Sequence, residues 1–244
     1  MRRALVITAI LALGACVLSP ELLPRDYVQP AGWKAVLIAG DDAEPAFDNA
    51  VDAMADKLVS FGVARANVTV LKADGAGAQA ATRESIENAF ERLQPRPRDG
   101  CFVFVTSHGV PERGLLLKRS RTYMSPAMLG GLIELGCDDR PTVAIVSGCF
   151  SGSFAESPAM RTERHVILTA ARRDRPSFGC NAGLQYTFFD RCVLDNLIKG
   201  VAWPVVMNKA RECVADEERR VGAARSEPQM FVGAMTEDLR VFSR

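Results

Sequence analysis

Two residues of this chain have the types and settings that nucleophilic catalysis needs. Cys149 follows an apolar run at 142–146 (TVAIV) and stands in the segment Ser147-Gly148-Cys149-Phe150-Ser151-Gly152. The glycines let the backbone turn sharply and come close to a bound ligand. His108 follows a second apolar run at 101–106 (CFVFVT) and is framed by Ser107 and Gly109. The attacking species is a thiolate, and a neighbouring histidine is the usual means of forming it. Adjacent parallel strands lie roughly 5 Å apart, so residues just past their ends can bring an imidazole to a thiol. The N–H groups of Gly109 and Cys149 would then sit on unobstructed turns, where they suit an oxyanion. The chain has one other histidine, His165, which opens an apolar run behind Arg161-Thr162-Glu163-Arg164. It reads as a surface or edge residue.

Composition removes other chemistries. Thirty basic residues face 29 acidic ones for a formal charge of +1, leaving no basic excess to neutralise phosphates. Aromatics are only 7%, too few for a base-stacking platform, so no nucleic-acid partner is expected. There is no Gly-x-Gly-x-x-Gly, no phosphate loop with lysine and no Cys-x-x-Cys. Zinc would need ligands at spacings that are absent. Neither a metal nor a cofactor is implied.

The elements that must hold His108 and Cys149 follow a repeating order. A short apolar strand at 33–39 runs into Gly40-Asp41-Asp42. Apolar residues at Phe47, Val51, Met54, Leu58 and Phe61 then define one face of a helix, which Gly62 ends. A strand at 67–71, a Gly/Ala-rich link at 75–79 and a helix at 82–93 follow, with Thr82 and Ser85 as caps and Pro95 and Pro97 beyond. After the strand at 101–106 come a short hairpin (115–117, then about 122) and a helix at 125–135. The strand at 142–146 is followed by another at 165–170, helices at 185–198 and 204–220, and a closing strand at 229–232. Strand and helix alternating with short links argue for a parallel sheet covered on both faces. In such sheets reactive groups gather beyond the carboxyl ends of the strands.

The motifs FVFVTSHG, ending at Gly109, and VAIVSGCFSG, ending at Gly152, resemble those of the legumain (haemoglobinase-type) peptidase family of the caspase-like clan. Weaker matches are LTAARRDRPSFGC at 168–180 and FDNAVD at 47–52. The resemblance implies a caspase-like three-layer α/β sandwich, its mostly parallel central sheet flanked by helices. It implies His108 as catalytic imidazole, Cys149 as nucleophile, and acyl transfer from a peptide substrate. Hydrolysis by an endopeptidase leads; a transamidase or ligase with the same dyad, or a non-catalytic binding lipoprotein on the same fold, are the alternatives. By the family pattern, substrate-binding groups fall at Asp48, Ser147, Asp174, Ser177 and Asp190, the last placed after Tyr186-Thr187-Phe188-Phe189. Asp48 and Asp190 would favour a basic or amide side chain. As plain residues, these carboxylates read equally as solvated helix-end groups. Ser147 stands where eukaryotic members carry an acid, and the first loop lacks their arginine, so strict asparagine specificity does not carry over.

The N-terminus has its own pattern. Met1-Arg2-Arg3 precedes an apolar or small run at 4–13, then Gly14-Ala15-Cys16. This is a signal-peptide pattern, too short for a permanent membrane span. Residues 13–16 also resemble the lipobox of bacterial lipoproteins, with Cys16 lipidated; an ordinary cleaved signal is the other reading. Val17 favours the outer membrane. The expected organisation is a signal with lipobox at 1–16, a proline-rich tether at 17–32, and one peptidase domain at 33–244, anchored on the periplasmic side of the bacterial envelope. Of seven cysteines, Cys101, Cys137, Cys180, Cys192 and Cys213 remain once Cys16 and Cys149 are set aside. Five is odd, so at least one stays free or pairs outside the chain. Cys101 reads as a small buried hydrophobe, and Cys180, in a loop, as the best candidate for a bridge.

Overall fold

The computed structural model describes residues 29–75, 78–180 and 183–243. The expected signal and lipobox, and the expected tether up to residue 28, therefore lie outside the described residues. The chain runs β1 (Gly32–Ala39), α1 (Pro45–Ser60), β2 (Val68–Lys72), β3 (Gln79–Ala80), α2 (Arg83–Glu91) and β4 (Asp99–Thr106). It continues through a hairpin region, β5 (Gly109–Val110), β6 (Gly114–Leu117) and β7 (Thr122–Met124), into α3 (Pro126–Cys137) and β8 (Thr142–Ser147). Then come α4 (Gly152–Glu156), β9 (His165–Thr169), α5 (Phe188–Asn196), α6 (Trp203–Val221) and β10 (Gln229–Val232).

Seven strands form one sheet in the order β10-β9-β8-β4-β1-β2-β3. All pair in parallel except β10, which runs antiparallel to β9 at the edge. Alternation along the central strands splits the core in two. Leu37, Phe102, Phe104, Val143 and Ile145 pack with Phe47, Met54 and Leu58 of α1, Val193 of α5 and Trp203 and Met207 of α6. Their neighbours Ile38, Val103, Val105, Ala144 and Val146 face the other way, onto Ile86 and Phe90 of α2, Ile133 of α3 and Phe154 of α4. A sheet buried on both faces must be continuously apolar along each strand, which is why these strands are legible as unbroken runs.

Helix starts follow local chemistry. Thr82, Ser125 and Thr187 each accept a hydrogen bond from the backbone N–H three residues on, capping α2, α3 and α5. Pro45 begins α1 two residues before its first apolar face residue. The Thr187 cap likewise sets the start of α5 later than the expected 185. The short edge strand β3 occupies part of the Gly/Ala-rich link, and α4, too short to show a period, was not foreseen.

Three expectations are corrected. Cys101 is buried, yet it is not a free hydrophobe: it is bonded to Cys137, the last residue of α3. A second disulfide, Cys192–Cys213, ties α5 to α6, while Cys180, the expected bridge, is a free thiol. His165 is not a surface residue. It is only 6% exposed, its Nδ1 lies 2.7 Å from the Met160 carbonyl, and its own carbonyl accepts the Gly233 N–H from the returning C-terminal segment. Burial depresses its pKa. Among the described residues no helix is long and apolar enough to cross a membrane.

The small antiparallel sheet β5-β6-β7 serves the site. It closes over the ends of β1 and β4, with Leu116 N–H donating to the His108 carbonyl at 2.8 Å and Lys118 N–H to the Gly40 carbonyl at 2.9 Å. The Ser107 hydroxyl returns a bond to the Leu116 carbonyl at 2.8 Å.

Candidate active site

Strand register decides which side chains meet. In the sheet Ala39 of β1 pairs with Thr106 of β4, and Thr106 pairs with Ser147 of β8. Asp41, His108 and Cys149 each lie two residues beyond one of these partners, so three neighbouring strands deliver a carboxyl, an imidazole and a thiol to one rim. The loops are drawn tight: Gly40 N–H donates to the Thr106 carbonyl at 3.0 Å and Ser107 N–H to the Ser147 carbonyl at 3.1 Å. Gly109 is required here, because a Cβ on it would fall 1.9 Å from the Cys149 carbonyl oxygen.

His108 Nδ1 lies 2.8 Å from Asp41 Oδ2. This bond assigns the Nδ1 proton toward the carboxylate and leaves Nε2 for the thiol side. The Phe47 ring meets the imidazole edge-on at 5.0 Å between centroids. Asp41 is only 3% exposed. Burial alone would raise its pKa, but the Ala43 N–H at 2.9 Å, His108 and Lys118 outweigh that and hold the carboxyl below its ordinary value. The His108 pKa is pushed up to about 9, first by hydrogen bonding with the Cys180 thiol and then, against its own desolvation, by Asp41.

Cys149 Sγ lies 3.3 Å from the Ser177 N–H nitrogen and 3.4 Å from the Ser177 carbonyl oxygen, with the Ser177 hydroxyl at 3.9 Å. Phe150, the next residue, adopts a left-handed φ of 61°, strain that a non-glycine residue holds only where its surroundings impose it. Its N–H donates to the Arg175 carbonyl at 2.8 Å. The Ser151 hydroxyl accepts the Ala171 N–H at 3.2 Å. Among the described residues the Cys149 N–H donates to no backbone carbonyl.

The other expected site residues fare differently. Ser177 is brought against the thiol. Ser147 closes β8 directly beneath it and is 1% exposed. Asp190 is 0% exposed, which corrects the expectation that it reads a substrate side chain directly. Thr106 Oγ1 donates to its Oδ2 at 2.8 Å, and burial, against the hydroxyls of Ser147, Thr106 and Thr187, raises its pKa to about 6. It is a buried brace under the strand ends. Asp48 neighbours Phe47 in sequence, and its charged surroundings are Asp74, Lys72, Asp52 and Asp42; burial and then Asp74 raise its pKa to about 6. Asp174 is exposed and turned onto the Arg172 guanidinium, Nη2 to Oδ2 2.8 Å, which lowers its pKa to about 2. Asp41 and Cys180 were not assigned to the His108 imidazole from sequence; the signal for Asp41 was its offset of two from the end of β1, once the strand order is known. No group of three or more His, Cys, Asp or Glu among the described residues could hold a metal.

This geometry sits on a fold with known relatives. The structure is similar to caspase-1 from Spodoptera frugiperda, with a TM-score of 0.58 over 84% of this chain and 88% of that chain, at 14% identity. The architecture is thus caspase-like: an α/β sandwich with a mostly parallel sheet between helical layers. No curated protein matches the sequence. A family model described as the peptidase C13 family matches residues 77–210, more than half of the chain. The chain belongs to this family of legumain-type enzymes and is a cysteine-type peptidase, a hydrolase acting on protein substrates.

Proposed function

We propose that the protein is an endopeptidase in which Cys149 is the nucleophile, His108 its general base and acid, and Asp41 the residue that orients His108. One observation carries this reading: the three side chains leave adjacent strands at the same offset, with Asp41 and His108 2.8 Å apart. With its pKa raised to about 9, His108 stands as the imidazolium beside a Cys149 thiolate, and that thiolate attacks the scissile carbonyl. The N–H groups of Gly109 and Cys149 receive the oxyanion. His108 then protonates the leaving amine, and water, deprotonated by the same imidazole, releases the thioester. Ser177 presents a backbone N–H and carbonyl beside Sγ, groups suited to pairing with an extended peptide. Purified protein should cleave internally quenched peptides, and Cys149→Ala should abolish cleavage while leaving the melting temperature nearly unchanged. Undiminished cleavage by Cys149→Ala would sink the assignment.

The envelope location is proposed on separate grounds. Two disulfides in one domain suit an oxidising compartment outside the cytoplasm, and the 13–16 segment supplies Cys16 for lipid attachment. Cys16→Ala should move the protein from the membrane pellet to the soluble fraction; unaltered retention would contradict lipid anchoring.

A further inference from the structure

Outside Cys16 and Cys149, four of the five cysteines are consumed in disulfides. The remaining thiol, Cys180, is not in a remote loop but against the His108 imidazole. The segment that carries it also carries Ser177, whose N–H and carbonyl flank Cys149 Sγ at 3.3 and 3.4 Å. One stretch of chain therefore meets Cys149 Sγ through Ser177 and His108 through Cys180, and Cys149 and Cys180 are the only two free thiols among the described residues. Three Cα–Cα steps lead from Ser177 to Cys180, each spanning at most about 3.8 Å. Between them Gly179 takes φ +93° and packs so closely that a Cβ there would lie 2.5 Å from the Phe188 nitrogen. Bonded cysteines need Cα atoms roughly 4.4–6.8 Å apart, a span within reach of a loop already resting on the nucleophile.

We propose that Cys180 is a resolving cysteine: under hydroperoxides it closes a reversible disulfide with Cys149 that switches the peptidase off and shields its nucleophile. In the first step the Cys149 thiolate attacks one peroxide oxygen. The O–O bond breaks, the alcohol or water leaves with a proton from the His108 imidazolium, and Cys149 becomes a sulfenic acid. In the second step the Cys180 sulfur attacks the Cys149 sulfur. The S–O bond breaks, the S–S bond forms, and His108 carries the Cys180 proton to the departing hydroxide, which leaves as water. The net change is two thiols and one hydroperoxide to one disulfide, one alcohol (or water) and one water. A dithiol restores both thiols. Without a resolving thiol the sulfenic acid is open to further oxidation to the sulfinic acid, which does not return. His108 serves both steps from its present position, held by Asp41 at 2.8 Å.

The inference rests on Cys149 being the reactive thiol, but its readout is a covalent bond and not turnover, so the two readings fail separately. The reduced full chain would be treated with one equivalent of hydrogen peroxide, capped with N-ethylmaleimide and digested without reduction for mass spectrometry. The expected result is a cross-linked pair containing Cys149 and Cys180, lighter by two hydrogens than the separate peptides. The Cys101–Cys137 and Cys192–Cys213 pairs serve as internal standards. Activity should fall with cross-linking and return with dithiothreitol. In Cys180→Ser the recoverable fraction should drop several-fold as Cys149 appears as sulfinic acid. Cys149 oxidised while Cys180 is capped by maleimide, or equal recovery in both proteins, would overturn the proposal. A cross-link in a protein that cleaves no peptide would leave the disulfide standing and remove the endopeptidase.

Discussion

The two ends of β4 are built for opposite purposes. At its amino end Cys101 is fully buried, donates its N–H to the Pro141 carbonyl at 2.9 Å and is covalently tied to α3 through Cys137. Seven residues on, the same strand gives way to His108, a titratable group held by a carboxylate, an aromatic edge and a free thiol. One end is closed by chemistry that does not reverse in use; the other is left open to change its protons and partners. The contrast teaches that this strand separates stability from reactivity along its length, so damage at one end should register in a different measurement from damage at the other.

The largest effect expected from breaking that division is at the open end. Asp41→Asn removes the carboxylate that fixes His108, so kcat should fall strongly and the His108 pKa should drop below about 9, keeping only the part of the rise that Cys180 supplies. A raised histidine pKa contributes stability that is complete below 6.5 and disappears as pH climbs through about 9. In the variant, both that contribution and the alkaline limb of the pH–rate profile should move to lower pH, each unit removing about tenfold of the imidazolium at high pH. An unmoved alkaline limb would separate Asp41 from His108.

The closed end should give the complementary result. The double variant Cys101→Ala/Cys137→Ala releases a bridge between residues 36 apart. Denaturant unfolding should show a loss of about 3–4 kcal/mol from loop closure, with kcat retained at temperatures where the variant is folded. A loss of kcat without a loss of stability would reverse the assignment of the two ends.

A smaller effect sharpens the boundary between them. Asp190 braces the strand ends from beneath with its pKa raised to about 6 from 3.8. Because its folded pKa is raised, its favourable contribution is complete below 3.8 and lost as pH rises through about 6. Asp190→Asn should therefore stabilise the protein relative to wild type above that window, by up to about 3 kcal/mol, and lose the advantage in acid. Equal stability differences at acid and neutral pH would show that folding does not shift the Asp190 pKa.

The parts of this arrangement that could be read beforehand are those that leave a local trace. β4 and β8 are continuous apolar runs because both faces of the sheet are covered, and His108 and Cys149 stand where those runs stop beside glycine. α1 and α6 show their buried faces at helical spacing. What escaped is what depends on pairing between distant segments. Asp41 reaches His108 only because β1 is the neighbour of β4 and in register with it, a fact no window of sequence contains. Cys101 and Cys137 meet across the sheet and helix layers, and Cys180 finds an imidazole, not another thiol. His165 is sealed by the segment around Gly233 and Thr236, far along the chain. Asp190 resembled a pocket acid from its place after Thr187, yet the cap that Thr187 forms helps draw it beneath the strand ends.

The central claim is that Cys149 is a nucleophile activated by His108. Intact-protein mass spectrometry after brief exposure to a peptide-based, thiol-directed covalent probe tests it most directly, comparing wild type with His108→Ala and mapping the adduct. A single fast adduct on Cys149 that slows sharply in His108→Ala is the predicted result. Equal slow labelling in both proteins, or an adduct confined to Cys180, would contradict it.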